Sequence, residues 1–494
     1  MQYTELSAEE AAEFIKNDDI VGIGGFSSVG TPKAVPAALA KRAETEHAAG
    51  REFRISLIAG GSTGDQIDGA LARAKAVKFR AGFQSHKDMR AAINNGEVQY
   101  SDIHLSHVAQ DLRYGFLGHM NVAIIEAADI TPEGHFVLTS SVGVTPTIAQ
   151  MADKIIIELN SHHPAFINGL HDLYEPVNPP YRREIPVYSP SDRIGDALLK
   201  VDPKKVVGFV RTNLPDSIAA FTKPDPVTTK IGENVANFLI AELHRGIIPK
   251  EFLPLQSGVG NIANAVLGGL GSCPDIPAFT MFTEVIQNSV IGLMKQGRIT
   301  FASGSSLTLS DDVLGDVYAN YDFFRDKLML RPQEISNSPE LCRRLGVIAI
   351  NTALEADIFG NVNSTNVSGS KIMNGIGGSA DFSRNAFLSI FTCPSVAKGG
   401  VISAFVPMCS HIDSSENSVR ILATEQGVAD LRGKSPLEKA KTIIENCVHP
   451  DYKEFLWDYL KLAAGHAHTP MTLKKALAMH IAFEETGDMH NAKL

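Results

Sequence analysis

The chain has 494 residues, of which 44% are hydrophobic, so it can bury a large core that would normally be divided between two or more domains. Lysine and arginine total 45 against 55 aspartates and glutamates, and the resulting net charge of −10 argues against a nucleic-acid-binding protein. The five cysteines form no C-x-x-C pair, and no apolar signal core or membrane-length apolar run is present. These features predict a cytoplasmic protein that does not enter a membrane.

The first half of the sequence begins with alternating strand and helix signals. Residues 20–40, IVGIGGFSSVGTPKAVPAALA, predict a strand, a glycine-rich loop and a helix with Thr31 as its N-cap and Pro32 at its first position. Residues 53–72, FRISLIAGGSTGDQIDGALA, predict a second strand and helix. A proline-dense section from Pro164 to Pro226 then indicates a connection, and we place the domain boundary near residue 225.

The second half repeats this plan, which predicts a duplicated architecture. Residues 252–270, FLPLQSGVGNIANAVLGGL, again predict a strand, a glycine loop and a helix, and residues 348–370 resemble residues 122–144 in their order of elements. Alternating strands and helices in both halves predict two similar α/β domains, 1–225 and 226–494, with largely parallel sheets. After about Ser435, the apolar spacing predicts a helical tail in the second domain.

One glutamate stands where the hydrophobic period changes. In FTMFTEVIQNSV, residues 279–290, the period is close to two up to Glu284 and then changes to steps of three and four, which predicts a strand followed by a helix from Val285 to Gly297. Open α/β sheets bind ligands at the carboxyl ends of their strands, so Glu284 is a candidate functional residue. The plainer interpretation is a carboxylate that flanks a helix N-terminus. The corresponding position in the first half, near Ala59 or Gly60, carries no carboxylate, which predicts one site per chain between the domains.

Two glycine-rich loops accompany Glu284 in the second half. Residues 258–263, GVGNIA, match G-x-G-x-x-A, and with an acidic residue about twenty positions later they also fit a dinucleotide-binding protein. Against that alternative, residues 254–257, PLQS, are not a clean apolar strand. If this loop and the loop at 363–387 both lie near Glu284, backbone N–H groups would face a carboxylate that is ionised at neutral pH and can attack a thioester.

Other polar groupings carry weaker signals. Ser410, His411 and Asp413 are close in sequence, but a Ser–His–Asp site is defined in space, so we expect a structural turn there. Three histidine pairs lack a third ligand at metal-binding spacing, and we expect no metal site from them: His104 and His107, His162 and His163, His466 and His468.

Five motifs in order resemble the acetyl-CoA hydrolase/transferase family of class I CoA-transferases over nearly the whole chain. They are PLQSGVGNIANAV, TEVIQNS, LRPQEISNSPE, NGIGGSADFSRNAFLSIF and VPMCSHIDSSENSVRILATEQGVADLRG. Within the family, the chain is especially similar to propionyl-CoA:succinate and succinyl-CoA:acetate CoA-transferases. The resemblance implies two similar α/β halves, coenzyme A as a substrate, and neither a metal nor a nicotinamide cofactor.

The resemblance also implies roles for individual residues. The glutamate of the T-E-V motif, here Glu284, would carry CoA as a glutamyl thioester, and Asn337 would lie near the acyl or carboxylate group. The residues implied in CoA binding or the oxyanion site are Gly258, Val259, Gly260, Asn261, Ile262, Asn374, Gly378 and Lys398. Asn366 stands where relatives often have histidine, a departure that bears on acyl preference.

The resulting prediction is an enzyme that moves CoA between a short-chain acyl-CoA and a small carboxylic acid, with propionyl-CoA or acetyl-CoA and succinate favoured. A hydrolase that uses the same intermediates is the nearest alternative. A CoA-sensing or dinucleotide-binding protein is a more distant alternative. The size of the chain and the usual behaviour of soluble enzymes predict a homodimer or homotetramer.

Overall fold

The computed structural model describes residues 3–218, 225–258, 260–463, 465 and 468–494. Two compact units are present, and both are discontinuous in sequence. The first consists of Met1–Ala220, Thr280–Leu345 and Asn374–Asp381, and the second of Phe221–Phe279, Gly346–Met373 and Phe382–Leu494. The compact units therefore group residues differently from the predicted domains, 1–225 and 226–494. Those domains were defined by the sequence repeat, and they stay a prediction.

The first sequence segment supplies the larger sheet of the first unit. Its strands are β1 (Ile20–Ile23), β2 (Ile55–Ala59), β3 (Val77–Ala81), β4 (Gln99–Ser101), β5 (Val122–Ile130), β6 (Phe136–Leu138), β7 (Lys154–Asn160) and β8 (Val206–Thr212). Its helices are α1 (Ala8–Ala12), α2 (Ala34–Ala48), α3 (Ala70–Arg73), α4 (Lys87–Asn94), α5 (Leu105–Arg113) and α6 (Thr145–Met151). The strand order is β4-β3-β2-β1-β5-β7-β8, all neighbours in that order are parallel, and β6 is antiparallel to β5.

The next two segments alternate between the units. In the second unit, residues up to 279 form α7 (Pro226–His244), β9 (Leu255–Ser257) and α8 (Asn261–Ser272). The chain then enters the first unit through β10 (Phe279–Phe282), β11 (Val285–Gln287), α9 (Asn288–Lys295), β12 (Ile299–Gly304) and β13 (Ser306–Thr308). This segment continues through α10 (Asp311–Ala319), α11 (Tyr321–Phe324), β14 (Leu328–Leu330), α12 (Gln333–Ser336) and α13 (Pro339–Leu345).

The remaining elements belong mainly to the second unit. They begin with β15 (Ile348–Thr352), β16 (Glu355–Asp357), β17 (Val362–Asn363), β18 (Asn366–Val367), β19 (Lys371–Ile372), α14 (Ser379–Ser383), β20 (Leu388–Thr392) and β21 (Val396–Ala397). They end with β22 (Ile402–Ser403), β23 (Phe405–Val406), β24 (Ile421–Ala423), β25 (Val428–Asp430), α15 (Pro436–Asn446), α16 (Pro450–Ala463) and α17 (Ala478–Thr486). In this unit β9, β15, β20 and β24 are parallel neighbours, and β25 is antiparallel to β24.

The sequence repeat corresponds to a repeated strand arrangement. In the first unit β5 lies between β1 and β7, and in the second unit β15 lies between β9 and β20, with all of these pairs parallel. Both central strands come from the stretches that resemble each other in sequence. Buried aliphatic residues fill these strands, as expected when helices cover both faces of a parallel sheet. The prediction of an α/β fold with largely parallel sheets is confirmed.

The start of α2 differs from its sequence-based prediction. Thr31 is not the N-cap; Lys33 occupies that position and makes no side-chain cap. The carboxylate of Glu158, on β7, instead accepts the backbone N–H groups of Lys33, Ala34 and Val35 at 2.7, 3.0 and 2.7 Å. A residue distant in sequence therefore satisfies the free N–H groups of the first turn, which is why local capping preferences failed here.

Each unit has its own hydrophobic core. The core of the first unit packs α1–α4 against the buried strands, with Leu39, Leu57 and Ile124 as central members. The core of the second unit includes residues of the predicted helical tail, among them Ile443 and Leu456. None of the helices in the described part of the chain combines the length and hydrophobicity that crossing a membrane requires.

Candidate active site

Glu284 lies at a bend between β10 and β11, within the first unit. Its carbonyl oxygen accepts hydrogen bonds from the backbone N–H groups of Ser305 and Ser306 at 2.7 and 3.2 Å. The segment after it is strand β11, parallel to β13, so the prediction of a helix from Val285 is wrong; α9 begins three residues later. Pairing with β13 satisfies the backbone of β11, and this tertiary contact overrides the helical spacing of the side chains. The backbone of Glu284 is therefore fixed by the hydrogen bonds to its carbonyl and by the pairing of the following strand, β11, with β13.

The side chain of Glu284 meets a buried amide. Asn337 Nδ2 donates a 2.7 Å hydrogen bond to Glu284 Oε2. The amide is oriented by Ser336 Oγ, which donates to Asn337 Oδ1 at 3.0 Å. Asn337 follows α12, which is anchored by Gln333 Nε2 donating to the carbonyl of Leu105 at 2.9 Å. The structure therefore brings together the two residues that the sequence assigned to catalysis.

Gly378 packs against the same carboxylate. A β-carbon at position 378 would collide with the Glu284 carboxylate and with the Asn337 amide, so this close approach requires glycine. The segment around Gly378 is held within the first unit by three hydrogen bonds, two between backbone groups and one from a backbone N–H to a side chain. They are Gly375 N–H to Gln84 carbonyl at 2.9 Å, Ile376 N–H to Asp102 Oδ2 at 2.8 Å, and Leu105 N–H to Gly377 carbonyl at 3.2 Å.

The environment of Glu284 shifts its titration. Burial, together with the nearby carboxylate of Asp381, raises the pKa of Glu284 to about 8. The expectation of a fully ionised carboxylate at neutral pH therefore does not hold for the ligand-free protein. The residue keeps part of its surface accessible, so a ligand can reach it. A carboxylate that is costly to ionise is also a more basic nucleophile once it is ionised.

Sequence reasoning missed Asp381 and its partner Ser106. Burial raises the pKa of Asp381 to about 7, although Ser106 donates to it from both its backbone N–H, at 3.0 Å, and its hydroxyl, at 2.6 Å. The only sequence signal was an acidic residue directly after a glycine loop, three residues beyond Gly378. Its proximity to Glu284 depends on a tertiary contact that no sequence period shows.

The first glycine loop belongs to the second unit. Gly258 follows β9, and its N–H donates to the carbonyl of Ile350 at 3.1 Å. Gly260 has a φ of 120°, a conformation that favours glycine, and α8 begins at Asn261 and continues through Ile262. Val259 lies outside the described residues. The buried strand β9 directly before the loop also removes the objection that no strand precedes the G-x-G-x-x-A motif.

Two further predicted CoA contacts lie in different units. Asn374, in the first unit, is partly buried, and its side-chain amide donates to the carbonyl of Gly375 at 3.1 Å. Lys398, in the second unit, is exposed on a tight turn, with its ammonium 5.2 Å from the ring centre of Phe483. The aromatic contact is made by the ammonium group itself, and the exposed side chain stays accessible to an anion.

The weaker candidates form other contacts. The hydroxyl of Ser410 donates to Glu355 at 2.8 Å, and Asp413 Oδ2 accepts from the Ser364 N–H at 2.6 Å, so these residues do not form a Ser–His–Asp relay. Within the described ranges, two groups with histidine have metal-like spacing, and a protein cation lies in each. Lys33 contacts Glu126 and Asp216 at 2.6 and 3.0 Å, and Arg73 contacts both Asp65 and Asp88 at 2.6 Å.

Comparison with known proteins defines the class. The model of the acetyl-CoA hydrolase/transferase N-terminal domain matches residues 1–211, and the model of the corresponding C-terminal domain matches residues 315–460. The chain belongs to the acetyl-CoA hydrolase/transferase family and is an enzyme of the CoA-transferase class.

Full-length relatives narrow the comparison within this family. The chain is 49% identical to propanoyl-CoA:succinate CoA transferase of Escherichia coli K12, covering 99% of both chains. It is 47% identical to succinyl-CoA:acetate CoA-transferase of Clostridium kluyveri, covering 99% of this chain and 90% of that one. An acetyl-CoA hydrolase of Schizosaccharomyces pombe is 42% identical, over 96% of this chain and 94% of the relative.

Solved structures support the fold. RipA from Yersinia pestis superposes with a TM-score of 0.71 at 21% identity, covering 93% of this chain and 97% of that one. A 4-hydroxybutyrate CoA-transferase from Porphyromonas gingivalis gives a TM-score of 0.63 at 20% identity, with the same coverage of 93% and 97%. At these identities the likeness concerns the fold alone.

Proposed function

We propose that this chain transfers CoA between a short-chain acyl-CoA and a carboxylic acid through a glutamyl-CoA thioester on Glu284. The observation that carries this proposal is the Glu284 carboxylate, which accepts a 2.7 Å hydrogen bond from Asn337 and lies against the backbone of Gly378. Once ionised, a carboxylate attacks a thioester without a general base. Family membership and the transferase names of the relatives support the same reaction class.

The proposed reaction proceeds in two displacements and their reversal. An ionised oxygen of Glu284 attacks the acyl-CoA carbonyl carbon, and the C–S bond breaks to release CoA thiolate and leave an acyl-glutamyl anhydride. The thiolate attacks the side-chain carbonyl carbon of Glu284 and expels the acyl group as its carboxylate, so that CoA becomes bonded to Glu284 as a thioester. An incoming carboxylate then reverses both displacements. The proton count is balanced throughout, because carboxylates and thiolates are the only nucleophiles and leaving groups.

The surrounding residues have assigned roles within this proposal. Asn337 orients the carboxylate and remains positioned to donate to an oxygen on the reacting group. The backbone of Gly378 lies beside the Glu284 carboxyl carbon, which the thiolate attacks in the second displacement. An N–H donor there would stabilise the developing oxyanion. The segment Gly258–Ile262, including Val259, binds the pantetheine arm, and Asn374 and Lys398 contact CoA. The ammonium of Lys398 supplies local positive charge for an anionic ligand in a protein of net charge −10.

The favoured substrates follow from the relatives. Their names specify propanoyl-CoA with succinate and succinyl-CoA with acetate. We therefore favour propionyl-CoA or acetyl-CoA as one partner and succinate as the other. Asn366, which replaces the histidine often found in relatives, lies on β18, and its backbone pairs with the side chain of Asn363 at 2.7 and 2.9 Å.

Hydrolysis is the second candidate, because several relatives are named acetyl-CoA hydrolases. It would use the same anhydride and thioester but let water attack them. The distinguishing property is exclusion of water from the covalent intermediate, which transfer requires and hydrolysis does not. The two functions therefore predict different lifetimes for the CoA adduct.

The test is mass spectrometry of the intact protein and its peptides after mixing with acetyl-, propionyl- or succinyl-CoA at pH 8 without an acceptor acid. We expect a CoA adduct on the peptide that contains Glu284, discharged by acetate or succinate. Glu284→Gln should form no adduct, and Asp311→Asn, an exposed acidic residue in the same unit, should behave as the wild type. The rate at which each acid discharges the adduct ranks the acceptors.

Two other outcomes contradict the proposal. Free CoA that accumulates catalytically without an acceptor, from an adduct that decays as fast as it forms, would establish the hydrolase. Tight CoA binding with neither adduct nor turnover, unchanged in Glu284→Gln, would indicate a sensor and would reopen the dinucleotide-binding interpretation.

A further inference from the structure

One buried side-chain amide connects α5 to the helix that lies directly before Asn337. Gln333 is the first residue of α12, is fully buried, and donates from Nε2 to the carbonyl oxygen of Leu105 at 2.9 Å. Its backbone carbonyl accepts the N–H of Asn337 at 2.9 Å, and its N–H donates to the carbonyl of Gly143 at 2.9 Å. Gln333 is therefore bonded directly to Asn337, and its side chain fixes this helix to α5.

The same residue of α5 also holds the glycine segment that packs against Glu284. The N–H of Leu105 donates to the carbonyl of Gly377 at 3.2 Å, and the next residue, Gly378, lies against the Glu284 carboxylate. Asn337 donates to the same carboxylate at 2.7 Å. These contacts form a closed ring, whose members in order are Glu284, Asn337, Gln333, Leu105, Gly377 and Gly378. Apart from the contacts of the carboxylate itself, the Gln333 amide provides the one link in this ring that a side chain makes.

Gly60 leaves the space that the Gln333 amide fills. Gly60 directly follows β2, and the three heavy atoms that a β-carbon at this position would meet first all belong to the Gln333 side chain. The nearest of them, Oε1, would overlap with that carbon, so a residue larger than glycine would displace the amide. In the sequence repeat, Ala59 or Gly60 corresponds to Glu284. The position in the first half that corresponds to the candidate nucleophile therefore accommodates the Gln333 amide.

The stability of the fold does not by itself favour an amide at this position. Among the residues that the structure describes, none donates a hydrogen bond to Gln333 Oε1, although this oxygen is buried. A buried polar atom without a partner costs free energy, and an apolar side chain of the same length would avoid that cost. What the amide adds is the contact between its nitrogen and the Leu105 carbonyl.

We propose that Gln333 is a positioning residue for the transfer reaction, which sets the distance between the Asn337 amide and the Gly378 backbone across the Glu284 carboxylate. This inference rests on the proposed function. Donors accelerate a reaction when they are held where charge develops, and a misplacement of about 1 Å costs about 100-fold in rate. Gln333 acts through Asn337, so its effect on the rate depends on the presence of the Asn337 amide.

Two variants disrupt the contact with Leu105 in different ways. Gln333→Met keeps the length of the side chain but cannot donate a hydrogen bond. Gly60→Ala keeps the amide but displaces it, so it tests the same contact if Gln333→Met does not fold. Gly315→Ala in α10, where a β-carbon meets no atom within 4 Å, is the matched glycine control. Ile156→Val, in the core of the first unit, controls for a loss of stability alone.

The experiment measures the rate of CoA adduct formation from propionyl-CoA by quenched mass spectrometry between pH 6 and pH 9.5, as in the test of the proposed function. In Gln333→Met and in Gly60→Ala we expect the rate at pH 8 to fall about tenfold, because Asn337 is misplaced but keeps its other hydrogen bonds. The midpoint of the pH profile should move upward, because a weakened hydrogen bond favours ionised Glu284 less. Both controls should keep the wild-type rate and midpoint.

A double variant distinguishes positioning from general damage to the fold. In the Asn337→Ala background, Gln333→Met should lower the rate less than about twofold further, because the group that it positions is gone. Independent sites would instead give effects that multiply, so a loss of about tenfold in both backgrounds would overturn the inference.

The remaining outcomes separate two kinds of failure. If wild-type protein forms no adduct on Glu284, the proposed function fails and this inference fails with it. If wild-type protein forms the adduct but Gln333→Met, folded as judged by its melting temperature, keeps the wild-type rate and midpoint, the role of Gln333 alone is refuted. A loss of rate with an unmoved midpoint would also refute that role, because it would show a purely structural contact.

Discussion

The chemistry of the site depends on the groups that surround the Glu284 carboxylate. Among the residues that the structure describes, Asn337 donates a hydrogen bond to it, and burial and the carboxylate of Asp381 both raise its pKa. Desolvation and repulsion both disfavour its charge, so the hydrogen bond from Asn337 is an opposing contribution that favours the ionised form. If Glu284 is the nucleophile, as proposed, its reactivity depends on this balance.

Removal of the Asn337 amide tests that balance at the residue scale. In Asn337→Ala we expect the rate of adduct formation to fall about 10- to 100-fold, since a hydrogen bond to a charged group contributes about 1.5–3 kcal/mol. The midpoint of the pH profile of adduct formation should move upward, because the lost hydrogen bond favoured the charged form of Glu284. The control is Asn320→Ala, an exposed asparagine in the same unit. An unchanged rate in Asn337→Ala would exclude this residue from the site.

Residues differ in how well the sequence predicted them. Glu284, Asn337 and Gly378 could be assigned through motifs, and the structure places them in contact. Asp381 and Ser106 could not, because each has ordinary sequence surroundings and the hydrogen bond between them joins segments 275 positions apart. The raised pKa of Glu284 was also unpredicted, since it depends on burial and on a neighbour that only the folded chain supplies.

At the scale of elements, the site is formed by a strand junction and a glycine segment that approach each other closely. Pairing of β11 with β13 fixes Glu284 from one side. The backbone bonds that connect residues 375–377 with α5 and its neighbouring loops fix the glycine segment from the other. Where the glycine segment meets the Glu284 carboxylate, at Gly378, there is no space for a side chain.

A methyl group at position 378 should therefore affect activity more than stability. In Gly378→Ala the new β-carbon meets the mobile ends of Glu284 and Asn337, so these side chains move instead of the backbone. We expect a loss of about 100-fold in the rate of adduct formation, the size of effect that a misplacement of about 1 Å produces, with a small change in the free energy of unfolding. Gly292→Ala in α9, where a β-carbon meets no atom within 4 Å, is the matched control. Equal activities of the two variants would contradict the close approach at Gly378.

Local signals at element ends were the least reliable predictions. At the start of the helical tail, Ser435 is the N-cap and forms a capping box with Glu438, so a local signal is sufficient there. Thr31 also has a side chain suited to an N-cap, but it does not cap α2. The carboxylate of Glu158, on β7, accepts the N–H groups at that helix start instead. The predicted helix from Val285 became a strand for an analogous reason. In both cases a partner distant in sequence provided backbone hydrogen bonds that local preference could not anticipate.

At the scale of the whole molecule, the charge distribution has to accommodate an anionic substrate. The chain carries a net charge of −10, and CoA is itself anionic, so the protein as a whole repels its substrate. A cation close to the CoA site would therefore contribute strongly to CoA binding. Lys398 is exposed and supported by the Phe483 ring, which suits it to this role.

Neutralising Lys398 tests its proposed role in CoA binding. In Lys398→Gln we expect KM for the acyl-CoA to rise about fivefold, equivalent to about 1 kcal/mol, with kcat nearly unchanged. The difference from wild type should shrink as salt is raised, because salt screens exposed charges. Lys441→Gln, at an exposed position on α15 of the same unit, serves as the control. Equal KM values for the two variants at low salt would remove Lys398 from the CoA site.

The sequence by itself determined the α/β class, the repeated strand arrangement, the family and the motif residues, because hydrophobic period and short motifs are local properties. Tertiary structure alone decided the composition of the compact units, since residues 280–345 and 374–381 join the unit formed by the first part of the chain. It also decided that Glu284 is hard to ionise and that Asp381 is its neighbour. Charge interactions and burial depend on distances in space, and Glu284 and Asp381 stand 97 positions apart in the chain, from 284 to 381.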